Sequence, residues 1–357
     1  MPHARTLTRP TAPVIAPASV APTAAAPTTL VAFGCDPDEE RLLCELGARF
    51  ATHVTVAEEP LTPASAALAR GSRCVSVSHK VPVARAALDA LAAAGVTLLT
   101  TRSVGTNHVD VKHARSLGIT VEAVGYAPDG VADFTVLLIL TALRGARDML
   151  RRGETFDYRL GPARGRDLRD LTVGVVGAGR IGSAVAHRLR GFGCRLLLHD
   201  AAGAPGSVPL TTLLSQSDVV TLHTPLTDQT YHLLDAERLA LLPRGAVVVN
   251  TGRGGLIDTA ALLVALEDGR LGGAALDVVE GEDGVFYADA ADAAAAAVPE
   301  PLRRLHALPQ VVITPHTAYY TEGALRDTVT RTLEACLRGA TPAGAARVST
   351  LRAARVP

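Results

Sequence analysis

Three short apolar runs in the second half of the chain each end in a polar residue capable of chemistry. Val248-Val-Asn-Thr-Gly delivers Arg253, Ala275-Leu delivers Asp277 and then Glu282, and Val312-Ile-Thr-Pro delivers His316. Ligands of open α/β sheets bind at the carboxyl edge of the strands, so these residues are expected on one edge. Reduction of a ketone by hydride places negative charge on its oxygen and requires a proton donor there. His316 suits that role because an unperturbed imidazole titrates near neutrality. A carboxylate such as Glu282 would hold the ring and favour its protonated form. Arg253 would grip a substrate carboxylate in bidentate fashion and polarise the adjacent carbonyl. Taken singly, each of these residues also reads as an ordinary surface or turn residue. His223, before Thr224-Pro225, is equally available as a base on spacing alone.

The stretch Val173-Gly-Val-Val-Gly-Ala-Gly-Arg-Ile-Gly holds G-x-G-x-x-G at Gly177, Gly179 and Gly182. It follows a strand pattern and opens a helix with apolar residues at Ile181, Val185 and Leu189. Asp200 ends the next strand, about 20 residues on, where a ribose-binding acid belongs. Gly177 permits a tight turn, Gly179 lets backbone approach a pyrophosphate at the helix N-terminus, and Gly182 allows close helix–strand packing. A carboxylate at 200 accepts from the ribose hydroxyls of NAD and repels a 2′-phosphate. Ala201 and Ala202 follow it rather than an arginine, so NAD is favoured over NADP.

The elements that position these residues alternate strand and helix, which implies parallel sheets. Strands are expected at Leu30–Gly34, His53–Val56, Arg73–Val77, Thr97–Thr101 and Ile119–Val121. A second series is expected at Thr172–Val176, Arg195–His199, Asp218–Leu222, Ala246–Asn250, Ala274–Val278 and Val311–Thr314. Six such strands are what a full dinucleotide-binding domain uses. One long helix is expected from Pro128 to about Arg152, with Asp129 and Asp133 near the positive end of its dipole. Gly269 suits the end of a helix over 259–268, and a last helix spans about Glu322 to Leu337.

At 357 residues the chain exceeds one ordinary core and suits two domains. Apolar residues make up 48% and charged residues 20%, a packed globular composition. With 35 basic and 35 acidic residues, nothing suggests a nucleic-acid or anionic-membrane partner. No apolar run approaches the roughly 20 residues of a membrane span. The five cysteines form no C-x-x-C pair, and their odd number argues against a disulfide framework; a reducing, cytoplasmic setting is expected, and no metal site. Residues 1–29, rich in Ala, Pro and Thr, read as a disordered tail rather than a signal peptide, because prolines interrupt any apolar core. The Ala-rich stretch 290–298 reads as a flexible loop or short helix, and 341–357 as a flexible tail.

The order of motifs resembles the D-isomer-specific 2-hydroxyacid dehydrogenases: G-x-G-x-x-G, Asp, His-x-Pro, Asn-x-x-Arg-Gly, Asp-x-x-Glu-x-Glu, Pro-His-Thr. The resemblance covers about 30–337. It implies a catalytic set of Arg253, Glu282 and His316. It also implies that Arg180 and Ile181 line the pyrophosphate, that Asp200 holds the adenosine ribose, and that Thr224, Pro225, Thr230, Thr251, Gly252 and Asp277 surround the nicotinamide half. Thr101-Arg-Ser-Val-Gly-Thr-Asn-His resembles the family's substrate loop, whose amides at Val104 and Gly105 would bind the carboxylate as an anion nest. Tyr126 and Tyr319 match aromatic positions of the substrate pocket. Val279-Glu-Gly-Glu-Asp-Gly-Val-Phe-Tyr-Ala-Asp and Thr314-Pro-His-Thr-Ala-Tyr-Tyr-Thr-Glu narrow the resemblance to D-lactate dehydrogenases of the VanH, glycopeptide-resistance type.

The resemblance implies a doubly wound α/β architecture with a Rossmann cofactor domain, 128–317, inserted into a flavodoxin-like substrate domain, 30–127 plus 318–340. It further implies closure of a cleft that excludes water, and a homodimer formed through the cofactor domain. The reaction it implies is NADH-dependent reduction of pyruvate to D-lactate, with D-lactate feeding a D-alanyl-D-lactate cell-wall precursor. Alternatives are a 2-hydroxyisocaproate or phosphoglycerate dehydrogenase of the same family, or a non-catalytic NADH-sensing corepressor of the same fold.

Overall fold

Two parallel sheets, each wound on both faces by helices, organise the chain. The computed structural model describes residues 28–161, 164–288 and 298–340. The first sheet contains β1 (Thr28–Phe33), β2 (Thr52–Ala57), β3 (Cys74–Val77), β4 (Leu98–Thr101) and β5 (Thr120–Ala123), in the order β2-β1-β3-β4-β5. That is the flavodoxin-like order. β1 starts at Thr28 rather than Leu30, because Thr28 and Thr29 pair in register with Thr52 and His53. The expectations for residues 1–27, for 341–357 and for all but the end of the Ala-rich stretch lie outside the described residues.

The second sheet contains β6 (Thr172–Val176), β7 (Arg195–His199), β8 (Val219–Leu222), β9 (Ala246–Asn250), β10 (Leu271–Leu276) and β11 (Val311–Ile313). Its order is β11-β10-β9-β8-β6-β7, so the chain switches direction between β6 and β8. β8 and β9 are buried along their whole length, as strands covered on both faces must be, and apart from Thr221 and Asn250 they are apolar. β10 begins three residues earlier than expected, at Leu271, and ends at Leu276.

Helices α1 (Pro37–Arg49), α2 (Arg85–Ala93) and α3 (Val111–Ser116) cover the first sheet. α1 starts by a capping box: the Glu39 carboxylate accepts from the Asp36 N–H at 3.1 Å, with proline at the first position. The expected single helix over 128–152 is two: α4 (Asp129–Leu143) and α5 (Ala146–Glu154). Gly145 stands between them at φ 56°, and this left-handed residue ends the first helix. α4 buries Ala132, Val136, Leu138 and Ile139 against the second sheet and the helix that follows β6.

α6 (Arg180–Arg190), α7 (Leu210–Gln216), α8 (Ala236–Leu241), α9 (Thr259–Glu267) and α10 (Glu300–Ala307) accompany the second sheet. The last helix, α11 (Glu322–Ala340), returns to the first: its Val329, Leu333 and Cys336 pack with Leu30, Ala32 and Leu43. Cys336 forms a disulfide with Cys74 of β3, contrary to the expectation of unpaired cysteines. The two residues lie 262 positions apart, so their proximity follows from α11 docking on β3 and not from local spacing. No helix among the described residues is long and apolar enough to cross a membrane.

Candidate active site

The carboxyl edges of the two sheets face each other across a cavity of about 320 Å³. On the second sheet, the switch between β6 and β8 opens the crevice where doubly wound sheets bind ligands. Gly177, after β6, has φ 94°, and a Cβ there would stand 2.6 Å from the carbonyl oxygen of His223, after β8. Only glycine lets the two strand ends approach so closely. A Cβ at Gly182 would collide with the Gly177 carbonyl, which keeps α6 tight on the turn. Gly179 caps α6 without a side-chain partner and faces open space, so the first N–H groups of an eleven-residue helix are left free for an anion.

Asp200 ends β7 beside this turn. Its carboxylate accepts from the N–H of Ala178 at 2.7 Å and of Ala202 at 2.8 Å, and these bonds hold it below the ordinary aspartate range. An uncapped helix end, a glycine turn that no side chain could enter and a fixed carboxylate together fit the pyrophosphate and ribose of a dinucleotide. Arg180, Ile181, Thr224, Pro225, Thr251 and Gly252 extend the same wall into the cavity. Thr230 does not: its hydroxyl donates to the Pro225 carbonyl at 2.7 Å and accepts from the Thr227 N–H at 2.8 Å, locking the turn behind that wall.

His316 and Glu282 meet as the chemistry requires. Nδ1 of His316 lies 2.9 Å from Oε1 of Glu282, with both side chains largely buried. The other Glu282 oxygen accepts from the Val279 N–H at 2.6 Å, so the carboxylate cannot swing away. With Nδ1 on the carboxylate, Nε2 is the ring atom left for a substrate. The His316 backbone is held at φ 52°, a conformation few non-glycine residues adopt. Three groups impose it. The His316 N–H donates to the Asp277 carbonyl at 2.8 Å, its own carbonyl accepts from the Tyr287 hydroxyl at 2.8 Å, and the next turn is fixed by Asp277. The fully buried Asp277 carboxylate accepts from the Thr314 hydroxyl and from the N–H groups of Thr317 and Ala318.

Arg253 leaves the end of β9 and reaches the first sheet. It donates to the Gly252 carbonyl at 2.7 Å, and its Nε lies 3.4 Å from Oδ1 of Asn107. A Cβ at Gly105 would collide with Nη2, so the guanidinium lies flat against the loop carrying Val104 and Gly105. Tyr126 and Tyr319 complete the wall, their ring centroids 6.2 Å apart. Burial pushes the Tyr126 phenol up to about 12, so it stays protonated. Its carbonyl accepts from Arg180 at 2.8 Å, a bond between the two sheets' loops.

His223, the alternative base, is excluded by its surroundings. Its Nε2 lies 2.9 Å from the Thr221 hydroxyl, and its Nδ1 is buried with no partner among the described residues. Burial lowers its pKa to about 3, so it carries no proton to give at neutral pH.

Four residues escaped sequence reasoning. His79 lies in a loop without a motif, and Asn107 lies in the Thr101–His108 stretch without having been assigned a role. Tyr287 acts on His316 through the backbone. Arg102 is 3% exposed and fastens the substrate loop from behind, donating to the carbonyls of Phe33 and Gly34 and pairing with Glu39. Its place directly after a buried strand, within the Thr101–His108 stretch, was the available signal for it.

Comparison with known proteins adds the family. Residues 136–318 match the NAD-binding domain of D-isomer-specific 2-hydroxyacid dehydrogenases. A D-specific alpha-keto acid dehydrogenase of Enterococcus faecium is 45% identical over 315 residues, covering 86% of this chain and 96% of its own. A D-lactate dehydrogenase of Lactobacillus delbrueckii subsp. bulgaricus is 33% identical over 321 residues, covering 86% and 94%. The solved structure of the pyruvate reductase of Chlamydomonas reinhardtii superposes with a TM-score of 0.80 at 33% identity, covering 88% of this chain and 97% of its own.

Proposed function

Since the chain belongs to the D-isomer-specific 2-hydroxyacid dehydrogenase family and is an NAD-dependent oxidoreductase of that kind, we propose that it reduces pyruvate to D-lactate. One observation carries the reading: His316, held by Glu282 at 2.9 Å, faces the same cavity as Arg253 and the Val104–Gly105 loop. A proton donor and an anion grip on one cavity suit a keto group next to a carboxylate.

The glycine turn of Gly177, Gly179 and Gly182, Arg180, Ile181 and Asp200 hold the dinucleotide, and Thr224, Pro225, Thr251 and Gly252 flank its nicotinamide. Reduced NAD supplies the hydride when bound. Arg253 and the amides of Val104 and Gly105 hold the substrate carboxylate and orient C2. Nε2 of His316 donates its proton to the oxygen of C2 as negative charge grows there. Glu282 keeps the imidazole in the orientation that presents Nε2, and Asp277 and Tyr287 keep the backbone beneath it. The carboxylate of Asp200 favours NAD over NADP.

His316→Ala removes the acid without disturbing the dinucleotide loop. Turnover of pyruvate is expected to fall by about 10²–10⁴-fold, the span of general acid catalysis. NADH binding, read by fluorescence titration, is expected to stay intact, and full turnover in the variant refutes the assignment.

Two extensions belong to the same reading. The chain divides into a cofactor unit over 128–317 and a substrate unit over 30–127 and 318–340. The cofactor unit pairs with a second copy through the face of α4 and α5 and the loop after them. There Leu137, Leu150, Phe156, Tyr158 and Leu160 are more than half exposed, an apolar surface of the kind that an isologous dimer covers. The VanH-type resemblance supports a role in which the D-lactate supplies a ligase that joins it to D-alanine.

A further inference from the structure

The cavity that receives the keto acid has two neighbours. One, of about 210 Å³, lies on the α11 side, walled by Tyr319, Tyr320, Ala324 and Leu325. The other, of about 180 Å³, lies on the Glu282 side, walled by Pro82, His108, Phe286 and Tyr287. His79, two residues past the end of β3, lines all three, and no other described residue does. Its ring stands edge-on to Tyr319 at 4.9 Å between centroids, 5.4 Å from His316 and 6.0 Å from Tyr287. Its Nε2 lies 3.4 Å from the Tyr287 hydroxyl. The ring is therefore wedged in place from three sides.

The reading proposed above fixes two substituents of C2. The carboxylate goes to Arg253 and the Val104–Gly105 loop, and the oxygen goes to His316. The third substituent then turns away from the dinucleotide wall, toward Tyr126, Tyr319 and His79. We propose that His79 is the specificity-determining wall of this site, its imidazole closing off the two neighbouring cavities and restricting the substituent on C2 to the size of a methyl group. This rests on the proposed reduction of a 2-keto acid and names what limits it. Burial, together with His316, His108, Arg253 and Lys80 nearby, keeps the His79 pKa well below the ordinary value, so the wall is neutral at working pH. It excludes by bulk and offers no cation to a second carboxylate. The general cost of a misfitting methylene in a closed pocket, about 10-fold or more in kcat/KM, sets the scale of the effect.

The experiment compares pyruvate, 4-methyl-2-oxopentanoate and phenylpyruvate as substrates for the parent protein, His79→Ala and His79→Leu, by NADH absorbance. In His79→Ala the ratio of kcat/KM for phenylpyruvate over pyruvate is expected to rise at least about tenfold. His79→Leu keeps the bulk and is expected to keep the parent's ranking. A ratio unchanged in His79→Ala overturns the proposal, and so does an equal shift in both variants, which assigns the effect to polarity. Should His79→Ala fail to fold, judged by its melting transition, His79→Val carries the same expectation for 4-methyl-2-oxopentanoate. A parent protein that oxidises NADH with none of the three acids overturns the reduction itself along with this wall. A parent active on pyruvate whose ranking ignores residue 79 overturns the wall alone.

Discussion

Gly105→Ala separates the anion grip from the fold. A Cβ at 105 would collide with Nη2 of Arg253 and stand 2.9 Å from its Cζ. These atoms are the end of a flexible side chain, so the backbone need not move and stability should hold. The guanidinium, however, must leave the loop against which it lies. Its bonds to the Gly252 carbonyl and toward Asn107 then no longer define its position. A hydrogen bond to a charged group contributes about 1.5–3 kcal/mol, so misplacing one such bond to the substrate carboxylate lowers kcat/KM roughly 10- to 150-fold. The assay is steady-state reduction of pyruvate, with NADH affinity by fluorescence and the melting temperature as controls. The expected pattern is a large loss of kcat/KM with both controls unchanged. A variant that matches the parent in kcat/KM shows that Arg253 and Gly105 do not share one carboxylate, and the geometric argument fails.

Acid should weaken the fold through its buried histidines. Burial lowers His223 to about 3, and burial with Arg253 nearby lowers His108 to about 4, against about 6.5 in an unfolded chain. Between those values the unfolded state binds more protons, so the stability these residues contribute is complete above the unfolded value and is lost as pH falls toward the folded ones. The expected slope is at most about 1.4 kcal/mol per histidine per pH unit. Urea midpoints that do not fall between pH 7 and pH 5 contradict this account. For the cofactor, Asp200→Ala removes the carboxylate that repels a 2′-phosphate, and the NADH-over-NADPH preference should drop about tenfold or more. A preference left intact shows that selection lies elsewhere in the loop.

Much of the site was legible because its residues obey local rules. G-x-G-x-x-G needs only spacing and a following helix, and Asp200 needs only the next strand end. Arg253, Glu282 and His316 were legible as a set because each follows a buried strand whose carboxyl end faces one edge. His223 and His316 could not be separated by sequence, since the difference is desolvation in one case and a carboxylate at 2.9 Å in the other. His79 carried no signal, and Tyr287 lay in a quoted stretch with no role assigned, because their importance is relational: one is wedged among rings from distant loops, the other holds a carbonyl 29 residues away. The Cys74–Cys336 bridge was invisible for the same reason. The break between α4 and α5 was within reach, since Gly145 follows the last apolar turn, but the unbroken helical spacing on both sides outweighed a single glycine.

The proposed anion grip is divided between the two sheets, with Val104 and Gly105 after β4 and Arg253 after β9. Neither half is a binding site by itself, so an observed affinity is the intrinsic one multiplied by the fraction of molecules in which the halves are together. The chain passes from one sheet to the other near Ala127, whose N–H is tied to Asp327 at 2.8 Å, and returns near Ala318. A substitution at either passage rescales that fraction for every 2-keto acid by one common factor and leaves their ranking as it was. The absolute appetite of the protein for substrate and its choice among substrates are therefore independently adjustable, the first at the passages and the second at the cavity wall.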